Sequence, residues 1–197
     1  SSDYDYIKDC VKAGDIFTGG FIGLKHRITI SAVESLLATA RNKNNKVIVN
    51  LANSNPCYYW NSSAFNQTQF LSDVSVFIPT LSKYKDIVIV GLLLNEPHNP
   101  DQSCTPVPPL ELYNAAESIR VTLLANGFPS SFLLGYGSHP AYFINVPADG
   151  TINLSNTQYA PQKGTIKDFL VSQEAAASSV GHKLYFTVNA QSDGGKP

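Results

Sequence analysis

The sequence predicts an α/β protein with a parallel sheet, arranged as a partial (β/α) barrel of TIM type in which about five or six βα units are visible. Two observations predict this class. Short apolar segments alternate with longer amphipathic ones, which is the pattern of βα units. The segment 87–94 is almost entirely apolar, as expected for a parallel strand covered on both faces. A closed eight-stranded barrel needs about 250 residues. The chain has 197, so we expect one domain over residues 1–197 that lacks the last strands.

The periodicity of apolar residues and the positions of glycine and proline set the bounds of each element. In order, the patterns predict a strand within 16–30, a helix over 31–41, a strand over 46–52, a helix over 68–83, a strand over 86–94, a helix over 110–126, a strand over 132–136, a helix over 165–180 and a strand over 184–190.

Several local signals support these bounds. Ser31 and Glu34 have the spacing of a capping box at the start of the first helix. Pro79 must kink or end the helix over 68–83. Two longer segments are predicted as loops: the proline-rich stretch 97–109 and the Gly/Pro/Asn-rich stretch 138–164. Loops of that length in a compact domain usually carry function.

Composition excludes several classes of protein. Hydrophobic residues make up 43% of the chain, which is enough for a folded core. The net charge of −1 lacks the basic surface of a nucleic-acid-binding protein. A membrane span needs about 20 consecutive apolar residues, far more than the longest run here. The chain has no Met, even at position 1, so we expect the numbering to start after a processing site or inside a longer protein.

Three Asn-x-Ser/Thr sequons occur, at Asn61, Asn66 and Asn153. Each tripeptide alone arises often by chance. Together with the low charge and the abundance of Ser, Thr and Asn, they favour a secreted, extracellular glycoprotein over a cytosolic one.

The three cysteines, Cys10, Cys57 and Cys104, show no CxxC spacing, so a zinc site is not expected. Cys57 and Cys104 each follow a predicted strand and fall on neighbouring loops, which favours a disulfide between them. Cys10 would then be free or bonded to a partner chain. Three buried thiols remain the alternative. No pattern in the sequence indicates a metal ion or a cofactor.

The segment Asn95-Glu96-Pro97-His98 follows the apolar strand directly. In barrels of this type the active site lies at the carboxyl ends of the strands. The apolar strand predicts partial desolvation of the Glu96 carboxyl, which suits a general acid, and Asn95 is placed to bond a substrate hydroxyl. An ordinary turn after a strand is the alternative interpretation.

The stretch IVIVGLLLNEPHN resembles the fourth-strand signature of glycoside hydrolase family 5, the cellulase-like retaining glycosidases. VIVNLAN resembles the third strand of that family and CYYW its aromatic loop. LYNAAESIRVTLLANG resembles the helix after the fourth strand, FLLGYGSHPAYF the fifth strand and its loop, and HKLYFTVNAQSDGG the sixth strand. The resemblance covers roughly residues 30–195.

The resemblance implies a secreted retaining β-glycosidase acting on a polysaccharide or oligosaccharide, with Glu96 as general acid/base. It also implies a second carboxylate on the seventh strand, which we expect beyond residue 197. The substrate-binding residues that we predict are Asn95, His98, Trp60, Tyr136 and His139. Asp193 is the one carboxyl that follows the last predicted strand.

Other positions depart from the family pattern. Ala52 stands at the third-strand His, and Asn189 and Gln191 stand at the His and Tyr of the sixth strand. These departures favour the alternative function, a catalytically inactive, glycosidase-like carbohydrate-binding or structural glycoprotein.

Overall fold

A computed structural model describes residues 18–23, 29–52, 56–61, 64–98, 104–159 and 166–188. Its strands are β1 Thr18–Gly23, β2 Lys46–Asn50, β3 Trp60–Asn61, β4 Ala64–Phe65, β5 Val88–Asn95, β6 Leu133–Gly137, β7 Leu154–Tyr159 and β8 Lys183–Val188. Its helices are α1 Ile30–Asn42, α2 Gln67–Ser75, α3 Ile78–Ser82, α4 Pro109–Ala125 and α5 Ile166–Ser179. Cys10, and with it the predicted link to a partner chain, lies outside these residues.

Six strands form one sheet in the order β1-β2-β5-β6-β7-β8, and every neighbouring pair is parallel. The sheet curls into a half-barrel with helices along it, so the predicted partial α/β barrel is confirmed at this level. The strands β3 and β4 form a separate antiparallel hairpin in the connection between β2 and α2.

The strand β7 was not predicted. The sequence predicts a loop over 138–164, and with no strand in that loop the strands over 132–136 and 184–190 would be neighbours in the sheet. Instead β7 lies between β6 and β8 and pairs with both. This part of the predicted topology is wrong, because β7 is a polar strand that an apolar pattern does not identify.

Helix boundaries differ in two places from the predicted ones. The cap of α1 is Thr29, whose side chain accepts a hydrogen bond from the amide of Ala32 at 3.2 Å. Glu34 lies 3.1 Å from Lys83 and forms an ion pair there. The predicted helix over 68–83 is two helices, and Pro79 occupies the first turn of the second one, where proline is tolerated.

The core lies mainly between the convex face of the sheet and the helices. Its members include Val33 and Leu37 of α1, Phe70 of α2, Leu112 of α4 and Leu134 of β6. A smaller apolar cluster on other strand positions contains Ile48, Val90, Leu92 and Leu154. Within the described ranges, no helix is both long and apolar enough to cross a membrane.

The buried Arg120 of α4 ties the helix to the starts of two strands. Its guanidinium donates to the carbonyl oxygen of Phe132 at 2.6 Å and to that of Thr151 at 3.0 Å. The side chain of Asn153 bridges the same strands, accepting from the amide of Leu134 at 2.8 Å and donating to the carbonyl of Phe132 at 3.0 Å. These bonds fix β6 and β7 relative to each other below the carboxyl edge of the sheet.

Candidate active site

Glu96 lies immediately after β5, at the carboxyl edge of the parallel sheet, as the sequence predicts. Its backbone adopts a φ of 46°, a left-handed conformation that is uncommon for a residue other than glycine. Its main-chain N–H donates to the carbonyl oxygen of Gly137 at 3.0 Å, which fixes this conformation against β6. The side chain is exposed, so the expected desolvation of its carboxyl by the strand is wrong.

Asn95 and Gly137 form a close pair in the register of β5 and β6. A Cβ atom at position 137 would lie 2.7 Å from Asn95 Oδ1 and 3.2 Å from Asn95 Cα. The space for the Asn95 side chain therefore exists because residue 137 is glycine. Asn95 itself is exposed, and its amide is available to a ligand at this edge.

His98 is half-buried beside the same strand ends. Its Nδ1 lies 2.9 Å from the hydroxyl of Ser138, and its ring centroid is 5.4 Å from that of Tyr142. Burial lowers the pKa of His98, the carboxylate of Glu96 acts in the opposite direction, and His139 acts in the same direction as burial. The imidazole is therefore neutral near pH 7.

His139, the other histidine predicted at this edge, lies in the loop after β6. Its Nδ1 accepts a hydrogen bond from the amide of Ala141 at 3.1 Å and caps the short 3₁₀ turn Pro140–Phe143. With Nδ1 as acceptor, a neutral His139 carries its proton on Nε2. His139 follows β6 directly after Ser138, the residue bonded to His98.

The loop that carries His98 is closed at its base. The amide of Val107 donates to the carbonyl of Pro97 at 2.9 Å, and the hydroxyl of Tyr142 donates to the carbonyl of Val107. The predicted disulfide Cys57–Cys104 is confirmed, with 5.5 Å between the Cα atoms. It joins the turn after β2 to the loop after β5, so two loops that follow neighbouring strands are crosslinked.

The two aromatic residues predicted to bind substrate have different surroundings. Tyr136 is fully buried at 0% exposure, and its hydroxyl donates to the carbonyl of Leu112 in α4 at 2.6 Å. The prediction that Tyr136 binds substrate is therefore wrong, because its side chain points to the helix side of β6. Trp60 is half-buried in the β3–β4 hairpin and contacts the ring of Phe65 at a centroid distance of 6.5 Å.

The three sequons have different surroundings. Asn61 is exposed in β3. Asn66 caps α2, accepting from the amide of Gln69 at 3.1 Å. Asn153 is committed to the strand bridge described above. Glycosylation at all three stays a prediction. Asn61 is exposed, whereas the side chains of Asn66 and Asn153 form the hydrogen bonds just described.

Sequence reasoning missed two residues of the site, Gly137 and Ser138. The signal was present in the run Gly137-Ser138-His139 at the end of a predicted strand, next in space to Asn95-Glu96. Among the described residues, no group of three or more His, Cys, Asp or Glu side chains is arranged to hold a metal ion.

The structure is similar to that of the catalytic domain of a mannanase from Streptomyces sp. SirexAA-E. The TM-score is 0.56 with 14% sequence identity, over 87% of this chain and 57% of the mannanase domain. The similarity therefore shows a shared fold, of which this chain spans little more than half the length. No protein-family profile matches the sequence, and no curated protein is significantly similar to it.

The strand order changes where the second carboxylate of a retaining glycosidase is expected. If β2 is the third strand of the barrel, then β5, β6 and β7 are the fourth, fifth and sixth, and β8 is the seventh. In that numbering, the strand that resembles the family's sixth takes the seventh position, because β7 precedes it.

The carboxylate that the resemblance implies after the seventh strand would accordingly follow Val188, inside this chain rather than beyond residue 197. The residues there are Asn189, Ala190, Gln191 and Ser192, and the first carboxyl is Asp193. All of these positions lie outside the described residues.

Proposed function

We propose that this protein is a secreted glycoside hydrolase that cleaves a β-linked polysaccharide with retention, using Glu96 as general acid/base. The observation that carries the proposal is the place of Glu96. It is an exposed carboxyl at the carboxyl edge of a parallel half-barrel whose fold is shared with a mannanase catalytic domain. Active sites of (β/α) barrels lie at this edge.

The surroundings of Glu96 support this role. Its backbone is fixed by Gly137, so the position of the carboxyl is set by two adjacent strands rather than by a loose loop. Asn95 adds an exposed amide one residue away, suited to a sugar hydroxyl. The neutral His98 supplies a hydrogen-bonding group without adding a positive charge beside the carboxyl.

Retaining hydrolysis needs a second carboxylate about 5–5.5 Å from the acid/base. We propose Asp193 for this role, because it is the first carboxyl after β8, which takes the seventh position if β2 is the third strand of the barrel. The polysaccharide would lie across the carboxyl edge of the sheet, over the ends of β5 and β8.

A second candidate function is a glycosidase-like domain that binds a polysaccharide without cleaving it. The observation that favours it is the residue directly after β8, which is Asn189 rather than a carboxyl residue. Asn95, Glu96 and His98 would then form a carbohydrate-binding surface at the same edge.

Hydrolysis and binding measured together separate the two candidates. The full chain is incubated with soluble β-mannan and with β-glucan, and reducing ends are counted alongside affinity electrophoresis in the same polysaccharides. Hydrolysis that Glu96→Gln lowers at least about 100-fold supports the enzyme, since general acid/base help is worth about 10²–10⁴-fold. Glu174→Gln, an exposed glutamate on α5, is the matched control and should leave the rate unchanged.

Binding by the wild type with no release of reducing ends supports the second candidate and contradicts the first. If the wild type hydrolyses a polysaccharide, the variant Asp193→Asn tests whether Asp193 is the second carboxylate. A loss comparable to that of Glu96→Gln supports Asp193, and an unchanged rate excludes it.

A further inference from the structure

Two consecutive residues at the end of β6 hold two residues at the end of β5. The carbonyl of Gly137 receives the amide of Glu96 at 3.0 Å, and the hydroxyl of Ser138 lies 2.9 Å from Nδ1 of His98. The first bond is between main chains and sets the direction of Glu96. The second is between side chains and joins the residue after β6 to the loop after β5.

Ser138 is itself rigidly placed. Its side chain is 1% exposed, and its carbonyl oxygen accepts the amide of Asn156 in β7 at 2.9 Å. A buried hydroxyl anchored to two strands defines a fixed point for the ring of His98. Tyr142 contacts the ring from another side, and its own hydroxyl is held by Val107.

The ring of His98 thus has two described contacts, one with Ser138 and one with Tyr142. Nδ1 is committed to Ser138, and Nε2 makes no hydrogen bond to any of the residues that the structure describes. A neutral imidazole has one N–H donor and one acceptor nitrogen, so the bond at Nδ1 determines whether Nε2 donates or accepts. The buried hydroxyl of Ser138 has no other hydrogen-bond partner among the described residues, so its O–H is satisfied by donating to Nδ1. The neutral imidazole then carries its proton on Nε2, and that N–H is what His98 offers to a ligand beside Glu96.

We propose that Ser138 is a positioning residue of the site, which fixes the ring orientation and tautomer of His98 so that Nε2 hydrogen-bonds a sugar hydroxyl of the substrate next to Glu96. The proposal deepens the proposed function and rests on it for the class of ligand. The bond between Ser138 and His98 itself does not depend on whether the protein hydrolyses that ligand.

The test follows the ring nitrogens of His98 directly by ¹H–¹⁵N NMR of histidine-labelled protein, with mannohexaose and cellohexaose as probes. In the wild type, we expect one dominant tautomer of His98 and a shift of the Nε2 signal when one of the hexasaccharides is added. Ser138→Ala should mix the tautomers and weaken binding of that hexasaccharide about three- to tenfold, the range for one neutral hydrogen bond.

Two controls separate positioning from a general structural effect. Ser131→Ala removes an exposed hydroxyl from the turn before β6 and should leave both the tautomer and the affinity as in the wild type. Ser138→Thr keeps a hydroxyl and should retain the wild-type tautomer.

The proposal is overturned if Ser138→Ala leaves the tautomer populations of His98 unchanged. It is also overturned if neither hexasaccharide shifts the Nε2 signal of His98 in the wild type. This second test uses the wild type alone and does not depend on whether a variant folds. A wild type that shows the Nε2 response without hydrolysis contradicts only the hydrolytic function proposed above, and supports the positioning role of Ser138.

Discussion

The main-chain amide of Glu96 is bonded to the carbonyl oxygen of Gly137 at 3.0 Å, and this bond joins the ends of two neighbouring parallel strands. It holds Glu96 in a left-handed conformation that would otherwise be costly for a residue with a side chain. The site is therefore a property of the pair β5 and β6 rather than of the Asn-Glu-Pro segment alone.

Replacing Gly137 by alanine should damage the site more than the fold. The new methyl group would lie 2.7 Å from Asn95 Oδ1 and 3.2 Å from Asn95 Cα, so the side chain of Asn95 must leave its present position. We expect a stability loss of about 1–3 kcal/mol from this overpacking. Polysaccharide binding or turnover should fall by a larger factor than the loss of folded protein explains.

The control for this variant is Gly150→Ala. Gly150 has a φ of 87°, and no atom of the described residues lies within 4 Å of the position that a Cβ would take. Alanine at position 150 therefore strains the backbone at a place distant in the chain from Glu96. Chemical denaturation gives the stability of both variants, and affinity electrophoresis gives their binding. Equal binding by Gly137→Ala and the wild type would contradict the described role of Gly137.

Acid should destabilise the protein through His182. This side chain is 7% exposed, and its Nδ1 lies 2.6 Å from the hydroxyl of Ser155. Its Nε2 is buried and has no hydrogen-bond partner among the residues that the structure describes. Burial lowers the pKa of His182 to about 4 from 6.5. Between pH 6.5 and 4, His182 binds a proton in the unfolded chain but stays neutral in the folded protein. The free energy of unfolding therefore decreases as the pH falls from 6.5 towards 4.

The full effect is about 3 kcal/mol, from about 1.4 kcal/mol per pKa unit. Urea denaturation at several pH values measures it, and His182→Gln should remove that part of the slope between pH 6.5 and 4. A variant whose stability falls with acid as steeply as that of the wild type would contradict the assignment to His182.

Loss of the disulfide should destabilise the whole domain. Cys57 and Cys104 are 47 residues apart, and closing a loop of that length restricts the unfolded chain by about 4 kcal/mol. The free energy of unfolding of the double variant Cys57→Ser/Cys104→Ser should therefore be lower by about 4 kcal/mol, measured by denaturant unfolding. Cys10→Ser is the matched control, and a loss as large in Cys10→Ser would show that a different pairing stabilises the protein.

If the protein is secreted, Asn61 should carry a glycan. Its side chain is exposed in β3, whereas Asn66 and Asn153 use their amides in a helix cap and a strand bridge. Mass spectrometry of protein from a eukaryotic secretory host, before and after enzymatic deglycosylation, locates the modification. Asn61→Gln should remove most of the glycan mass, and an unmodified wild-type protein would refute the prediction.

The sequence predicted those elements whose burial is apolar. The strand β5 was found because Val88 to Leu94 face apolar partners on both sides, and the position of Glu96 follows from where that run ends. The disulfide followed from two loops at the same sheet edge. The strand β7 was missed because two of its buried side chains are polar: Ser155 bonds His182, and Thr157 bonds Gln173 of α5.

Within the site, Tyr136 and Ser138 show what a linear pattern does not determine. They lie two residues apart near the end of β6, and both are buried. Tyr136 is bonded to α4, while Ser138 is bonded to His98 at the carboxyl edge. Whether such a residue belongs to the core or to the site depends on which element packs against it. The order of the strands in the sheet determines that packing.

The dependence of hydrolysis on the leaving group tests the role of Glu96 most directly. A general acid protonates the departing oxygen, so its removal matters for a sugar leaving group and matters little for dinitrophenolate, which departs without a proton. The measurement compares kcat/KM of the wild type and Glu96→Gln on β-mannan oligosaccharides and on a dinitrophenyl β-mannoside. The account predicts a loss of at least about 100-fold on the oligosaccharides and a much smaller loss on the activated glycoside. Equal losses on both substrates, or none on either, would contradict it.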